Sequence, residues 1–275
     1  MSSSSEPVLD DRWAGLVDDA AIFPPGDAPL SEATAAFTAR TAAEGAGLVG
    51  TFVLRDTDLP QVRGLDAPLS VVVTGGAGQV AGPAALCRRL GLRLAGLEIA
   101  LRDLDDLAGN ARRVVAAVDA ARAEGSLDED VPVFVELPQT EPGHSWLLAA
   151  DEVAGAELRL KLRTGGLEAH QVPSAATLAS WIDAALDRET PFKCTAGLHH
   201  AVRHRSGHGF VNVLAATGLA FDGAAPDEVV ATLEERDADA LVGLDLTGAR
   251  RWFTSFGSCS VAEPLADLRA LGLLP

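Results

Sequence analysis

The chain has 275 residues, is 48% hydrophobic and carries a formal net charge of −17 at pH 7, which argues against a nucleic-acid or anionic-membrane partner because like charges repel at long range. Three cysteines without CxxC spacing argue against a disulfide framework and read as a reduced, cytoplasmic protein. The serine-rich, acidic start lacks the basic and apolar regions of a signal peptide, and no run of about 18 uncharged apolar residues is present to span a bilayer.

Short apolar or β-branched runs alternate with longer helical patterns. In chain order the predicted strands are residues 20–23, 48–54, 69–74, 94–101, 131–137, 157–163, 191–195 and 252–256. Gly75-Gly76-Ala77-Gly78 after the third reads as a turn. Between the fourth and fifth, Leu104, Leu107, Ala111, Val114, Val118 and Ala121 form one apolar helix face; between the sixth and seventh, Leu178, Ile182 and Ala185 do the same behind Ser174, a predicted N-cap. No G-x-G-x-x-G turn follows the first strand, so the alternation predicts a closed (β/α)8 TIM barrel, one domain over 1–275, in preference to an open doubly wound sheet. Residues 199–250 are too long for a simple crossover and read as an irregular insert between strands seven and eight, with 240–246 as an added strand or a rival for the eighth.

Only two of the 22 basic residues are lysines, Lys161 and Lys193, and each lies near the end of a strand-like run that stops at glycine. Arginine cannot supply a neutral, nucleophilic amine, so these two positions point to amine chemistry. Alternation puts Lys161 with Arg163, and Lys193 with Thr195, on one face of the sixth and seventh strands. Inside a barrel the clustered cations disfavour one another's protonation, and the spacing predicts that one lysine loses its proton near neutral pH, as Schiff-base formation requires. Glu98 and Glu136 are candidate proton-transfer partners; a salt bridge to Arg163 or a lysine is the alternative role.

The pair Lys161-x-x-Thr164-Gly165 and Phe192-Lys193-x-x-Ala196-Gly197 resembles the two lysine motifs of the deoxyribose-phosphate aldolase family, class I aldolases on a (β/α)8 barrel. The similarity extends to 17–24 (Val-Asp-Asp-Ala-Ala-Ile-Phe-Pro), to Val71-Val72-Val73-Thr74-Gly75-Gly76, and to Phe256-Gly257-Ser258-Cys259-Ser260, which resembles the family's last, phosphate-binding turn. By this resemblance Lys161 is the Schiff-base lysine, Lys193 the second lysine that lowers its pKa, and Glu98 falls near the proton-relay aspartate. The family's second motif continues with two glycines and a basic residue, whereas Gly197 here precedes Leu198-His199-His200. That departure speaks against the family's own sugar-phosphate substrate.

His200, His204 and His208 are spaced to stack on one helical face, a geometry that can bind zinc, although Gly207 and Gly209 interrupt such a helix; a loop contacting an anionic substrate is the other reading for His199, His200 and their neighbours. Gly257, Ser258 and Ser260 precede a helix starting near Ala262 and form either an anion site or an ordinary cap. Three functions remain open: a lysine-dependent aldolase or related lyase acting on a small anionic carbonyl compound, a metal-dependent barrel enzyme using the histidines, and a non-catalytic small-molecule-binding barrel. The first needs no cofactor and no metal. A homo-oligomer is compatible with all three.

Overall fold

A computed structural model of the chain describes residues 9–40, 46–205 and 207–274. The first eight residues of the serine-rich start lie outside them. Eight parallel strands close into a barrel in sequence order: β1 Val17–Asp19, β2 Val49–Arg55, β3 Pro68–Val72, β4 Arg93–Ala100, β5 Val133–Glu136, β6 Arg159–Arg163, β7 Phe192–Thr195 and β8 Phe253–Ser258. The predicted TIM barrel is therefore the observed architecture. The seam is formed by β1 against β8, with Val17 opposite Phe256 and Asp19 opposite Ser258.

Helices α1 Leu30–Arg40, α2 Ala81–Leu90, α3 Leu107–Ala123, α4 His144–Gly155 and α5 Ala175–Leu186 wrap the outside. The second and third strands are joined by a 3-10 segment, Asp56–Val62. Periodicity explains the helices directly. Leu107, Ala111, Val114, Val118 and Ala121 are all buried on one side of α3, and Asp106 caps it by accepting from the Gly109 amide. Leu104 is left outside that stripe and is 66% exposed. Ser174 caps α5 through the Thr177 amide, as its position predicts.

Two expectations need correction. The first strand is Val17–Asp19, with residues 20–23 forming the loop after it. Two consecutive aspartates disguise this strand, because both are buried and each has found a partner inside the fold. The stretch 199–250 is also more ordered than its sequence suggests, with α6 Phe210–Phe221, α7 Pro226–Glu234 and α8 Ala238–Val242, and 240–246 contributes no strand. α6 is apolar on nearly every side and is covered by α7 and by the turn Gly248–Arg251, so its missing amphipathic stripe reflects burial on all faces. Among the described residues, no helix is long and apolar enough to cross a membrane.

Candidate active site

Strand alternation turns Leu160 and Leu162 outward into the helix layer and Lys161 and Arg163 into the barrel, and the same alternation on β7 turns Lys193 and Thr195 inward. Lys161 and Lys193 are direct neighbours in the β6–β7 register, as are Arg163 and Thr195. At the C-terminal end of the barrel these side chains bound a cavity of about 440 Å³, with Glu98, Glu136, His199 and Gly257 also in its wall. Eight of the predicted site residues thus come together in one place. It is the end of the barrel at which such folds carry their chemistry.

The floor of the cavity is a chain of buried ion pairs. Lys193 Nζ lies 2.7 Å from Asp18 Oδ2 and 2.7 Å from Glu98 Oε1, and 5.1 Å from the centre of the Phe134 ring. Lys161 Nζ lies 2.7 Å from Glu98 Oε2 and 2.8 Å from Glu136 Oε2. Glu98 therefore bridges both lysines, while Ser70 donates to its Oε1 at 2.6 Å. Asp18 is satisfied in turn by hydroxyls of Thr51 and Ser255, each donating at 2.6 Å. Arg163 Nη1 stands 4.0 Å from Glu136 Oε1, and its side chain is 40% exposed at the cavity mouth.

This arrangement overturns the expected deprotonated lysine. Burial by itself would lower both lysine pKa values, but the attraction of Glu98 and Glu136 at Lys161, and of Asp18 and Glu98 at Lys193, outweighs it and raises both. Glu98 shows the converse. Burial would raise it, yet Lys161 and Lys193 together hold it far below the usual carboxylate range. The salt bridges expected as the alternative role of Glu98 and Glu136 are present, and Asp18 adds a third carboxylate that the cation count left out. Asp18 is the principal site residue that sequence reasoning overlooked; its place in the Val-Asp-Asp run of the family resemblance was the available signal.

Beyond each lysine strand, the chain turns at glycine for a steric reason. A Cβ added at Gly165 would meet Gly197 Cα at 2.8 Å, and Gly197 itself has φ +85°, a conformation that side chains disfavour. Thr164 ties the same two loops by donating its hydroxyl to the Ala196 carbonyl at 2.7 Å. Gln139, also missed from sequence, donates to the Arg163 carbonyl at 2.9 Å and to the Gln171 carbonyl at 2.7 Å, holding the loop after β6. Gly165→Ala should lower stability by about 1–3 kcal/mol, since backbone cannot yield as a flexible side chain does; a thermal midpoint equal to that of the parent would show that the loops can part freely.

The remaining candidates divide. His199 lines the cavity, with Nδ1 2.9 Å from Glu263 Oε2 and Nε2 3.9 Å from Cys259 Sγ. His200 is held by Asp267 of α9 Ala262–Ala270, at 3.2 Å. The three histidines at four-residue spacing do not lie on a helix. His208 is buried, with Nε2 2.8 Å from the Pro173 carbonyl and Nδ1 3.1 Å from Arg203, and no group of three or more His, Cys, Asp or Glu among the described residues is arranged to hold a metal ion. Ser258 is buried and donates to the Ser260 carbonyl at 2.8 Å, while the Ser260 hydroxyl accepts from the Glu263 amide at 3.4 Å. These contacts fit the capping role for the turn, and the Glu263 carboxylate beside it is a poor neighbour for an anion.

No family model matches the chain, and no curated protein matches it in sequence. By structure it is similar to the tetrameric deoxyribose phosphate aldolase from Aeropyrum pernix, with a TM-score of 0.59 and 15% identity over 94% of this chain and 92% of that one. At that identity the likeness establishes a shared barrel fold, and the chemistry rests on the residues themselves.

Proposed function

We propose that the chain is a lysine-dependent lyase of the class I aldolase type, acting on a small anionic carbonyl compound through an imine on Lys161. The observation that carries this is the position of Lys161: a buried primary amine in the wall of a cavity of about 440 Å³, with one carboxylate at 2.7 Å and another at 2.8 Å. Glu136, the more exposed of the two, is placed to take the ammonium proton as a carbonyl carbon arrives, while Glu98 stays ionised. The same pair then stabilises the iminium, which restores the positive charge that the ammonium gave up. Lys193 sits deeper, closed off between Asp18 and Glu98, and its role is to keep Glu98 ionised and in place.

Arg163 supports the anionic character of the substrate. It lies two residues beyond Lys161 on the same inward face, about 6–7 Å further along the strand, and its guanidinium suits a carboxylate or phosphate attached close to the carbonyl.

Borohydride reduction in the presence of acetaldehyde or glyoxylate should add the corresponding mass to the peptide containing Lys161. Lys161→Arg should abolish the adduct. An adduct on Lys193 in the unmutated chain would exchange the two roles. The fully paired state of both lysines favours a second reading, a barrel that binds its ligand without catalysis, and absence of any trapped adduct across aldehydes, ketones and keto acids would select it.

A further inference from the structure

The proposed imine chemistry leaves one task unassigned. Cleavage of a β-hydroxy carbonyl compound requires a base for the hydroxyl proton, two carbons away from the iminium carbon. The three carboxylates of the ion-pair chain are occupied: Asp18 by Lys193, Glu136 by Lys161, and Glu98 by both. His199 is in the wall of the same cavity, contributed by the loop after β7 and therefore outside that ion-pair chain. Its ring is oriented from behind. Glu263, near the start of α9, lies 2.9 Å from Nδ1, and a carboxylate there accepts the Nδ1 proton, which leaves the lone pair on Nε2. The partner on that side is the Cys259 thiol at 3.9 Å, a weak donor that a substrate hydroxyl can displace at little cost, and Cys259 also lines the cavity.

We propose that His199 is the general base and acid of the carbon–carbon cleavage step, with Glu263 as its positioning residue. The role rests on the imine reading of Lys161. In the cleavage direction, His199 Nε2 takes the proton of the β-hydroxyl; the O–H electron pair becomes the second bond of the departing aldehyde's carbonyl. The Cα–Cβ bond breaks, its pair forms the enamine double bond, and the iminium nitrogen is neutralised. The enamine carbon then takes up a proton, regenerating the iminium, and water releases the second carbonyl compound and the free lysine. The imidazolium returns its proton within the cycle, so no oxidant, metal or co-reactant enters.

The test uses the full chain, a β-hydroxy ketone whose cleavage releases a fluorescent naphthaldehyde, and, separately, acetaldehyde with borohydride. His199→Gln should slow cleavage by about 100-fold or more, as loss of a general base does, while the yield of Lys161 adduct stays within about twofold of the parent. His199→Ala should regain part of its cleavage rate when imidazole is added, a response that a merely structural role would not give. Glu263→Gln should give an intermediate loss in kcat that imidazole does not repair. Cleavage by His199→Gln within about threefold of the parent, or no imidazole rescue of His199→Ala, overturns the role of His199 and leaves Lys161 untouched. So does a parent protein that traps acetaldehyde on Lys161 yet cleaves no β-hydroxy ketone. Failure of the parent to trap any adduct removes the imine reading, and the cleavage role with it.

Discussion

Replacing Glu98 by glutamine should cost the fold about 3 kcal/mol, the low end of the range observed when one partner of a buried ion network is removed, because each lysine keeps one carboxylate. The size follows from its place between the two amines. Glu98 is 2% exposed and lies within 2.7 Å of each lysine, so its loss leaves Lys161 with Glu136 and Lys193 with Asp18, both deep in the barrel. Chemical denaturation should show it as a lower midpoint with an unchanged slope. A loss below about 1 kcal/mol would mean that the network is close to neutral against desolvation. Protonation gives the same answer by another route. The folded-state pKa of Glu98 lies below its ordinary 4.5, so the stability it contributes is fully present above that value and is lost as pH falls through the folded pKa. The lysines work in the opposite sense: their pKa values are raised, so their contribution is complete below the ordinary 10.5 and is lost as pH rises through the folded values.

The rate at which Lys161 captures acetaldehyde should climb about tenfold per pH unit between roughly pH 6 and 9, since only the neutral amine attacks and its fraction grows tenfold per unit below the pKa. Timed incubations quenched with borohydride and read by peptide mass would measure it. This separates the structure from the sequence expectation. An amine already neutral near pH 7, as cation crowding alone predicts, would give a rate that is flat above that pH. Glu98→Gln removes a neighbouring negative charge and should move the whole profile to lower pH, because the ammonium loses part of its stabilisation.

The barrel was legible because its strands obey local rules. Leu160, Lys161, Leu162 and Arg163 alternate, and α3 and α5 repeat with helical period, so both the sheet and the inward direction of the lysines follow from a few residues each. Properties that depend on distant partners were hidden. Asp18 and Lys193 are 175 positions apart in sequence, and nothing local to Lys193 says that a carboxylate waits beside it. The surroundings of Lys193 were hidden for that reason, whereas the carboxylates that keep Lys161 charged, Glu98 and Glu136, were in view as salt-bridge candidates. β1 was displaced because three residues, two of them acidic, give no alternation to detect. α6 was passed over because helical periodicity is a contrast between faces, and a helix covered on every side has none. His199 was legible as a cavity residue, whereas its orienting partner, Glu263, was not, since the pairing spans 64 positions.

The seam between the first and last strands has a consequence for when the site comes into being. Asp18 on β1 and Ser255 on β8 are 237 positions apart, and both are needed to complete the surroundings of the Lys193 ammonium. Contacts of such long separation are made late, after shorter loops have closed. All three carboxylates precede Lys193 in the chain, but a partly folded barrel still open at the seam, with its first and last strands unpaired, holds the Lys193 ammonium without the complete set of partners it has in the native site. The site's electrostatics thus act as a report on closure, absent until the final strand has docked.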